Sequence, residues 1–204
     1  MAIDAAHYPA VRQYLNRLSP ISEATWTAVA KHLHKTEFQP QEFFAKAGRY
    51  EHQTGILLDG IFRAYSLTQD STEFTKTLYT PISFTNPISY LGAYTALVTQ
   101  QVNQVNVQAL TQATVLVCSY QDWLGLAETH PEVATWSQKL AHLFFIGKET
   151  RELQLSTMQA HERYLLFRSE FPELEHLISQ YHIAQYLGIT PTQLSRIRKK
   201  VFGH

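Results

Sequence analysis

The block from Thr36 to Ser119 restricts the possible folds most, because it consists of short apolar runs typical of strands and not of the helical pattern that precedes and follows it. It contains the runs FFAKAG, TGILLDGIFRAYSL, FTKTLYT, VNQVNVQAL and ATVLVCSY, which are rich in β-branched and aromatic residues and are separated by turn formers. In VNQVNVQAL, Val105, Val107 and Ala109 fall on one face of a strand and the intervening polar residues on the other. Many short strands in one block predict an antiparallel sandwich, jelly roll or barrel.

Helical periodicity flanks this block on both sides, which predicts an α+β chain. Upstream, Val11, Leu15 and Leu18 recur at helical spacing, and Ser22 is placed as the N-cap of a second helix. After Pro131, an apolar stripe continues along a long helix to about residue 155. The stripe is formed by Val133, Trp136, Leu140, Leu143 and Phe144. A helix packed only on its own β domain is one interpretation, but a helix that is apolar on more than one side needs more than one neighbour, which favours a subunit interface.

Composition limits the class of protein. The chain has 204 residues with 17 basic and 17 acidic side chains, which suits one large or two modest domains and leaves room only for a local basic surface. Its one cysteine, Cys118, excludes an intramolecular disulfide and an iron–sulfur site with four cysteines in one subunit. We find neither a signal peptide nor a long uncharged apolar run, and expect a cytoplasmic protein without a membrane segment.

The segment HIAQYLGITPTQLSRIRKKV, residues 182–201, has the pattern of a helix-turn-helix. Ala184 supplies the small residue at which two helices cross closely, and Gly188 supplies a turn residue that tolerates a left-handed backbone. Thr190 is placed as an N-cap, and Pro191 stands at the first helical position, where a missing N–H does no harm. The segment therefore predicts two short helices, the second of which presents polar side chains.

The second helix carries a cationic end that the neutral chain as a whole conceals. From Thr190 onwards there are four basic residues and no acidic one. Gln193 and Arg196 can form paired hydrogen bonds to base edges, and Lys199 and Lys200 suit phosphates. The residues predicted to contact DNA are Ser179, Gln180, Tyr181, Thr190, Thr192, Gln193, Ser195, Arg196, Lys199 and Lys200.

The sequence resembles the Crp/Fnr family of bacterial transcription regulators, and within it the short-tailed branch typical of Bacteroidetes. The resemblance is carried by HIAQYLGITPTQLSRIRKK, with AHERYLLF and FPEL upstream, and by KAGR, LLDGIFRAY, STEFTKTL and VQAL in the β block. It implies a β-roll like those that bind cyclic nucleotides, flanked by helices within residues 1–130, a dimerisation helix over 131–155, and a helix-turn-helix domain over 156–204. Since few residues follow Val201, we expect a truncated wing.

The family resemblance also implies the partners. Two subunits would pair through Val133, Trp136, Leu140, Leu143 and Phe144. The paired recognition helices would enter major grooves about 34 Å apart on a near-palindromic duplex. By the same resemblance, Thr192, Gln193 and Arg196 align with base-reading positions, and Ser179, Gln180 and Tyr181 with phosphate contacts. A small-molecule effector and RNA polymerase are the further partners that it implies.

The β block lacks the residues that hold a cyclic nucleotide in such proteins. No arginine or lysine occurs between Lys76 and Lys139, and a buried phosphate without a cation would be poorly compensated. We therefore expect no cyclic nucleotide, and no cofactor is evident. Two alternatives remain for this region: a pocket for another small molecule, or polar loops that fill the space themselves. The pocket residues would be Asn86, Ser89, Tyr90, Gln101 and Asn103.

Two other functions compete with the DNA-binding regulator. An enzyme or metal protein of the cupin type would need paired histidines with a carboxylate on neighbouring strands, and the β block offers only His52. We therefore do not expect an enzyme. A sensor protein that has weak or lost DNA binding is the second alternative, which the basic helix disfavours and the missing wing favours.

Overall fold

The computed structural model describes residues 9–81 and 89–203. Within them, strands and helices segregate along the chain, as the change in sequence period predicts. The helices are α1 (Pro9–Leu18), α2 (Glu23–Ala30), α3 (Tyr94–Thr99), α4 (Tyr120–Thr129), α5 (Pro131–Thr157), α6 (Ala160–Glu170), α7 (Leu174–Leu177), α8 (Gln180–Leu187) and α9 (Pro191–Phe202). The strands are β1 (His34–Phe38), β2 (Phe43–Ala45), β3 (Gln53–Asp59), β4 (Phe62–Leu67), β5 (Glu73–Tyr79), β6 (Tyr90–Leu91), β7 (Asn106–Ala109) and β8 (Ala113–Ser119).

The strands form two antiparallel sheets, in the orders β1-β8-β3-β6 and β2-β7-β4-β5. The inward side chains of both sheets fill the space between them with an apolar core that includes Phe44, Leu57, Phe62 and Val107. The α+β architecture and the double-sheeted roll predicted from the sequence are therefore confirmed.

The turn between β3 and β4 depends on Gly60. Its φ is +89°, and a Cβ at this position would lie 2.4 Å from the Cβ of Ala113 and 2.4 Å from the carbonyl oxygen of Gln112. Both the backbone conformation and the space therefore require glycine, which fixes the close approach of this turn to the start of β8.

One outer face of the roll is covered by helices from both ends of the β block. Trp26 of α2, Trp123 of α4 and Trp136 of α5 pack with Leu116 of β8 in one cluster. Ser22 caps α2 by accepting a hydrogen bond from the Thr25 N–H, as predicted. These contacts hold the first half of α5 against the roll.

The opposite outer face of the roll is covered by the C-terminal helices. Ile61 and Leu78 of the roll share an apolar cluster with Phe167, Leu187 and Leu194 of the helical domain. The helices α6 to α9 are thereby placed on the β2-β7-β4-β5 sheet. Among the described residues, no helix has the length and hydropathy that crossing a membrane requires.

Candidate nucleic-acid interface

The helix-turn-helix predicted near the C-terminus is formed by α8, a three-residue turn and α9. Ser179 caps α8 by accepting from the N–H of His182, and Gly188 ends this helix with a left-handed φ of 68°. Thr190 caps α9, and Pro191 occupies its first turn. A Cβ on Gly188 would also lie 3.3 Å from Leu155 of α5, so the turn is packed against the long helix. The local preferences of these residues therefore produce the predicted motif.

The two helices are joined by their apolar faces. Ile183, Ala184 and Leu187 of α8 and Leu194 of α9 are fully buried, and Ile197 is packed against the same cluster. Ala184 and Leu194 have no exposed surface at all, which is consistent with the close crossing that a small side chain permits. The orientation of α9 is thus fixed by the core beneath it.

The opposite face of α9 is exposed and polar. Arg196, Lys199 and Lys200 extend from it without burial. The predicted contact residues that are exposed are Ser179, Tyr181, Thr190, Thr192, Gln193, Ser195, Arg196, Lys199 and Lys200, and Gln180 is half-buried. The structure therefore brings all ten predicted residues onto one motif and leaves most of their surface accessible.

Gln193 has a structural role that the sequence prediction did not assign to it. Its Oε1 accepts a hydrogen bond of 2.9 Å from the Thr190 N–H, while the Thr190 hydroxyl accepts from the Gln193 N–H at 3.2 Å. This reciprocal capping box was visible in the sequence as a threonine followed three residues later by glutamine. A paired contact to adenine needs the same Oε1, so Gln193 must leave the cap to read a base.

Arg198 belongs to the interior side of α9. Its Nε lies 3.6 Å from Oε1 of Glu175, a carboxylate with 7% exposure that also pairs with Arg168 at 3.1 Å. The hydroxyl of Tyr164 donates to the same carboxylate at 2.7 Å, and burial raises the pKa of Tyr164 to about 12. Arg198 therefore holds α9 to α6 and α7.

The C-terminal end of α8 is held by two arginines from neighbouring helices. Arg151 of α5 donates to the carbonyl of Tyr186 and stacks its guanidinium 4.1 Å from the centre of that ring. Arg163 of α6 donates to the carbonyl of Leu187 at 3.0 Å. These contacts satisfy carbonyls that a helix end leaves without an intrahelical partner. They also connect α8 directly to the long helix.

The N-terminal end of α8 is held by the roll. Arg63 of β4 is 4% exposed and pairs with Glu73 of β5 through both carboxylate oxygens, at 2.5 and 3.1 Å. It also donates to Gln108 of β7 at 2.8 Å and lies 3.1 Å from Nδ1 of His182. Arg63 is the main cause of the lowered pKa of Glu73, and the nearby His182 and Tyr181 lower this pKa further. We call Arg63, Glu73, Gln108, Tyr181 and His182 the inter-domain cluster.

An open cavity of about 470 Å³ lies beside α9. It is bounded by Gln180 of α8 and by Ser195, Lys199 and Phe202 of α9. A concave surface with a lysine and a helix N-terminus at its edge suits an anionic backbone. This cavity is therefore part of the candidate interface.

The residues predicted for an effector pocket lie in separate surroundings. Ser89 donates to the carbonyl of Thr80 at 2.8 Å, and the Asn103 Oδ1 accepts from the Val105 N–H at 2.9 Å. Tyr90 packs 6.2 Å from the ring centre of Trp136, on the helix-covered face of the roll. Gln101 is exposed, and Asn86 lies outside the described residues. Ser89, Tyr90 and Asn103 thus make local contacts, and the effector pocket stays a prediction.

The residues predicted for the subunit interface divide into two groups. Val133, Trp136 and Leu140 are 0%, 1% and 4% exposed in the single subunit, because they pack on α4 and the roll. Their assignment to a subunit interface is therefore corrected, since side chains enclosed in one subunit leave no surface for another. Leu143 and Phe144 are half-buried. The apolar side chains that α5 leaves exposed are Phe145, Ile146 and Leu153, at 68%, 56% and 57%.

The sequence prediction missed the inter-domain cluster and the two arginines at the end of α8. Arg63 and His182 are 119 positions apart, and neither stands in a motif that announces the contact. Arg151 and Arg163 resemble ordinary exposed basic residues of amphipathic helices. No local pattern could have revealed these contacts, because each joins elements that only the tertiary fold brings together.

Comparison with known proteins identifies the fold. No family model and no curated protein matches the sequence. FixK2 from Bradyrhizobium japonicum superposes with a TM-score of 0.71 at 16% identity, over 84% of this chain and 85% of that one. A protein from Eubacterium rectale, described as a putative transcriptional regulator of the crp/fnr family, gives a TM-score of 0.72 at 15% identity, over 94% of this chain and 89% of that one.

A third similar structure is CLP from Xanthomonas campestris, a c-di-GMP responsive global regulator. It gives a TM-score of 0.68 at 13% identity, over 89% of this chain and 92% of that one. The chain therefore has the fold of Crp/Fnr structures, with a β-roll of the cyclic-nucleotide-binding type followed by a helical domain.

Proposed function

We propose that this protein is a DNA-binding transcriptional regulator of the Crp/Fnr type, which binds a near-palindromic operator as a homodimer in the cytoplasm. The observation that carries the proposal is the two-sided character of α9. Its apolar side is packed against α8 through Leu194, while Arg196, Lys199 and Lys200 extend from the accessible side. The three structures described above share the fold of this chain, and two of them carry names that describe regulators.

The accessible side of α9 divides into base-reading and phosphate-binding residues. Thr192, Ser195 and Arg196 lie on the N-terminal half of the helix, which enters deepest into the major groove in helix-turn-helix proteins. Arg196 can donate two parallel hydrogen bonds to a guanine. Lys199 and Lys200, nearer the end of the helix, contribute affinity through phosphates without sequence preference.

The first turn of α8 supplies further phosphate contacts. Ser179 and Tyr181 are exposed there, and the N–H groups of a helix N-terminus favour an anion. Together with the cavity beside Lys199, this turn would receive the DNA backbone next to the groove that α9 enters.

Dimer formation is supported by the exposed apolar residues of α5. Ile146 and Leu153 are seven residues apart and so lie on one face of the helix, next to Phe145. Their burial against a second copy would place two α9 helices on a two-fold axis. An operator with half-sites about 34 Å apart follows from this arrangement.

We expect the roll to respond to something other than a cyclic nucleotide. Phe44, Phe62 and Tyr79 belong to the apolar core between the two sheets, and burial raises the pKa of Tyr79 to about 12. The sequence between Lys76 and Lys139 supplies no cation to neutralise a phosphate. The proposal also includes a small-molecule effector and a contact with RNA polymerase.

The proposal is tested with duplexes obtained by in vitro selection. Arg196→Ala should weaken binding to the selected operator by about 1–3 kcal/mol and relax the preference at one base pair of each half-site. Affinity is measured by fluorescence anisotropy at about 50 mM and about 200 mM salt. The wild type should lose at least roughly tenfold in affinity between these concentrations, because bound phosphates release counterions.

Arg49→Ala is the matched control, because it removes the same charge from an exposed turn of the roll. It should leave both the footprint and the salt dependence as in the wild type. A wild-type protein that binds no duplex at low salt would refute the proposal and favour the sensor without DNA binding. An unchanged footprint for Arg196→Ala would refute the base-reading role alone.

A further inference from the structure

The side chain of Gln193 is already engaged within the first turn of α9. Its Oε1 accepts a hydrogen bond of 2.9 Å from the Thr190 N–H and lies 3.3 Å from the Thr190 hydroxyl, which donates to it. The same hydroxyl accepts from the Gln193 N–H at 3.2 Å, and the Leu194 N–H donates to the Thr190 carbonyl at 3.0 Å. Both the backbone and the side chain of Gln193 are therefore tied to the residue that begins the helix.

The chemistry of this cap fixes the direction of the Gln193 amide. A backbone N–H can only donate, so the amide atom that faces the Thr190 N–H must be the oxygen Oε1. The nitrogen Nε2 then lies outside the cap, and among residues 9–81 and 89–203 no group accepts a hydrogen bond from it. Because Gln193 is exposed, DNA would meet its side chain as a donor and not as an acceptor.

A donor alone cannot select adenine in the major groove. Adenine offers N7 as an acceptor and its amino group as a donor, while guanine offers N7 and O6, both as acceptors. A glutamine selects adenine by presenting its oxygen and its nitrogen together. Since the Oε1 of Gln193 is used by the cap, its Nε2 could reach the N7 of either purine without preferring adenine.

Leaving the cap in order to read adenine would remove two hydrogen bonds at the start of α9. The Thr190 N–H would lose its acceptor, and so would the Thr190 hydroxyl. Water can replace Oε1 in the free protein, but a duplex that covers the first turn of α9 excludes much of this water. The exchange is therefore least favourable in the complex, where the base contact would have to form.

The exposed neighbours of Gln193 are not engaged in this way. Thr192, Ser195 and Arg196 are exposed, and in the part of the chain that the structure describes their side chains form no hydrogen bond to another protein group. They can turn towards base edges without loss to the fold. The base pairs that they reach depend on the direction in which the first turn of α9 is held, and the capping box holds this turn.

We propose that Gln193 stays in the capping box on the operator and is a positioning residue for Thr192 and Arg196, not a reader of adenine. This inference rests on the proposed function and separates the side chains that read from the one that holds the start of the helix. Gln193→Glu should keep the base preferences, since a carboxylate oxygen also accepts from the Thr190 N–H. Gln193→Ala should weaken them, because it removes the cap.

The test measures base preference in addition to affinity. An operator is obtained by in vitro selection, and full-length protein is titrated with duplexes that carry each single base-pair change in one half-site. In Gln193→Glu each preference should stay within about twofold of the wild type, while all duplexes bind more weakly because the added charge faces phosphates. In Gln193→Ala the preferences at the base pairs read by Thr192 and Arg196 should fall about three- to tenfold.

Gln138→Glu is the control for the added charge, because Gln138 is exposed on the first half of α5. It should bind every duplex as the wild type does.

A reader of adenine would behave differently in the same titrations. Its replacement by glutamate would abolish one adenine preference of about 5- to 150-fold, or create a preference for cytosine, whose amino group a carboxylate accepts. Either result for Gln193→Glu would overturn the inference. Equal preferences in Gln193→Ala and the wild type would overturn it as well, since the cap would then position nothing.

Hydrogen exchange at the Thr190 amide reports directly on the cap. This amide should exchange more slowly in the wild type than in Gln193→Ala, both in the free protein and on the operator. Equal exchange on the operator would show that Oε1 has left the cap and would overturn the inference. If the amides of β8 also lose protection in Gln193→Ala, this variant has unfolded, and the comparison of Gln193→Glu with the wild type decides alone.

The two proposals fail differently. A wild type that binds its operator, together with a Gln193→Glu variant that loses an adenine preference, would remove the positioning role and keep the regulator. If the wild type bound no duplex, the proposed function would fall, and this inference with it.

Discussion

Nδ1 of His182 lies 3.1 Å from a guanidinium nitrogen of Arg63. Because a guanidinium only donates, Nδ1 must accept, and the ring proton of a neutral His182 must be on Nε2. Burial lowers the pKa of His182 below its ordinary 6.5, and the neighbouring Arg63 lowers it further, while Glu73 acts in the opposite direction. Protonation of His182 therefore breaks a hydrogen bond and places a second cation against Arg63.

The pH dependence of stability follows from this lowered pKa. Near pH 6 the folded protein binds fewer protons at His182 than the unfolded chain does, so its contribution to stability is complete above about 6.5 and decreases as the pH falls towards the lowered pKa. The free energy of unfolding, measured with urea between about pH 7.5 and about pH 5.5, should thus decrease more in the wild type than in His182→Gln. The glutamine can accept from Arg63 and does not titrate.

His34→Gln serves as the control for this titration, because His34 is exposed on β1, away from the inter-domain cluster. The free energy of unfolding of His34→Gln should depend on pH as that of the wild type does, and should therefore differ from that of His182→Gln. Identical profiles for wild type and His182→Gln would show that His182 does not link protons to folding.

At the scale of residues, the sequence predicts what local conformation decides. Gly188, Thr190 and Pro191 each suit one backbone position better than other residues do, and each occupies that position. The contact between Arg63 and His182 follows no such preference, since it depends on how β4 and α8 meet. Local backbone preferences therefore predict the helix-turn-helix, but they do not predict the contacts that attach it to the roll.

At the scale of elements, α5 shows two different apolar surfaces. Its 27 residues begin with a half that is enclosed by α4 and the roll, through Val133, Trp136 and Leu140. Its second half exposes Phe145, Ile146 and Leu153. Hydrophobic periodicity identifies such a helix and its approximate bounds, predicted as 131–155. The periodicity does not show which neighbour covers each turn of the helix, because burying an apolar side chain is equally favourable against its own domain and against a second subunit.

Ile146→Glu should convert the protein into monomers. A glutamate at this place would face its own copy across a two-fold axis, and the two like charges would lose hydration on association. Sedimentation velocity on the purified variant measures the change, with circular dichroism to confirm its helix content.

Leu177→Glu is the matched control for the subunit interface. Leu177 on α7 is 57% exposed, close to the 56% of Ile146, but it belongs to the helix-turn-helix domain. It should sediment as the wild type does. A dimer that persists in Ile146→Glu would remove the second half of α5 from the subunit interface.

At the scale of the whole molecule, α8 is the element at which three parts meet. Its first turn contacts the roll through His182 and Arg63, its last carbonyls accept from Arg151 and Arg163, and its inner face packs on α9. The layered arrangement of roll and helices was predictable from the change in period along the chain. The contacts of α8 with three parts of the molecule could not be predicted, because an eight-residue sequence with one apolar face does not indicate how many elements pack against the helix.

Cyclic AMP should produce no heat of binding in calorimetry with the whole protein. The phosphate would need a buried cation, and the segment from Lys76 to Lys139 supplies none between its ends. Micromolar binding would contradict this expectation and indicate a cation from elsewhere in the chain. Titration of the Ile146→Glu monomer would then show whether a second subunit supplies it.

The residues on the exposed side of α9 are different from those that attach the helix to the rest of its domain. Thr192, Ser195 and Arg196 are exposed, whereas Leu194 and Arg198 carry the attachment to the domain beneath. Mutations in the first group can accumulate without loss of stability, while those in the second are selected against. Under the proposed function, substitutions at Thr192, Ser195 and Arg196 would change the preferred DNA sequence and leave the stability of the molecule nearly unchanged.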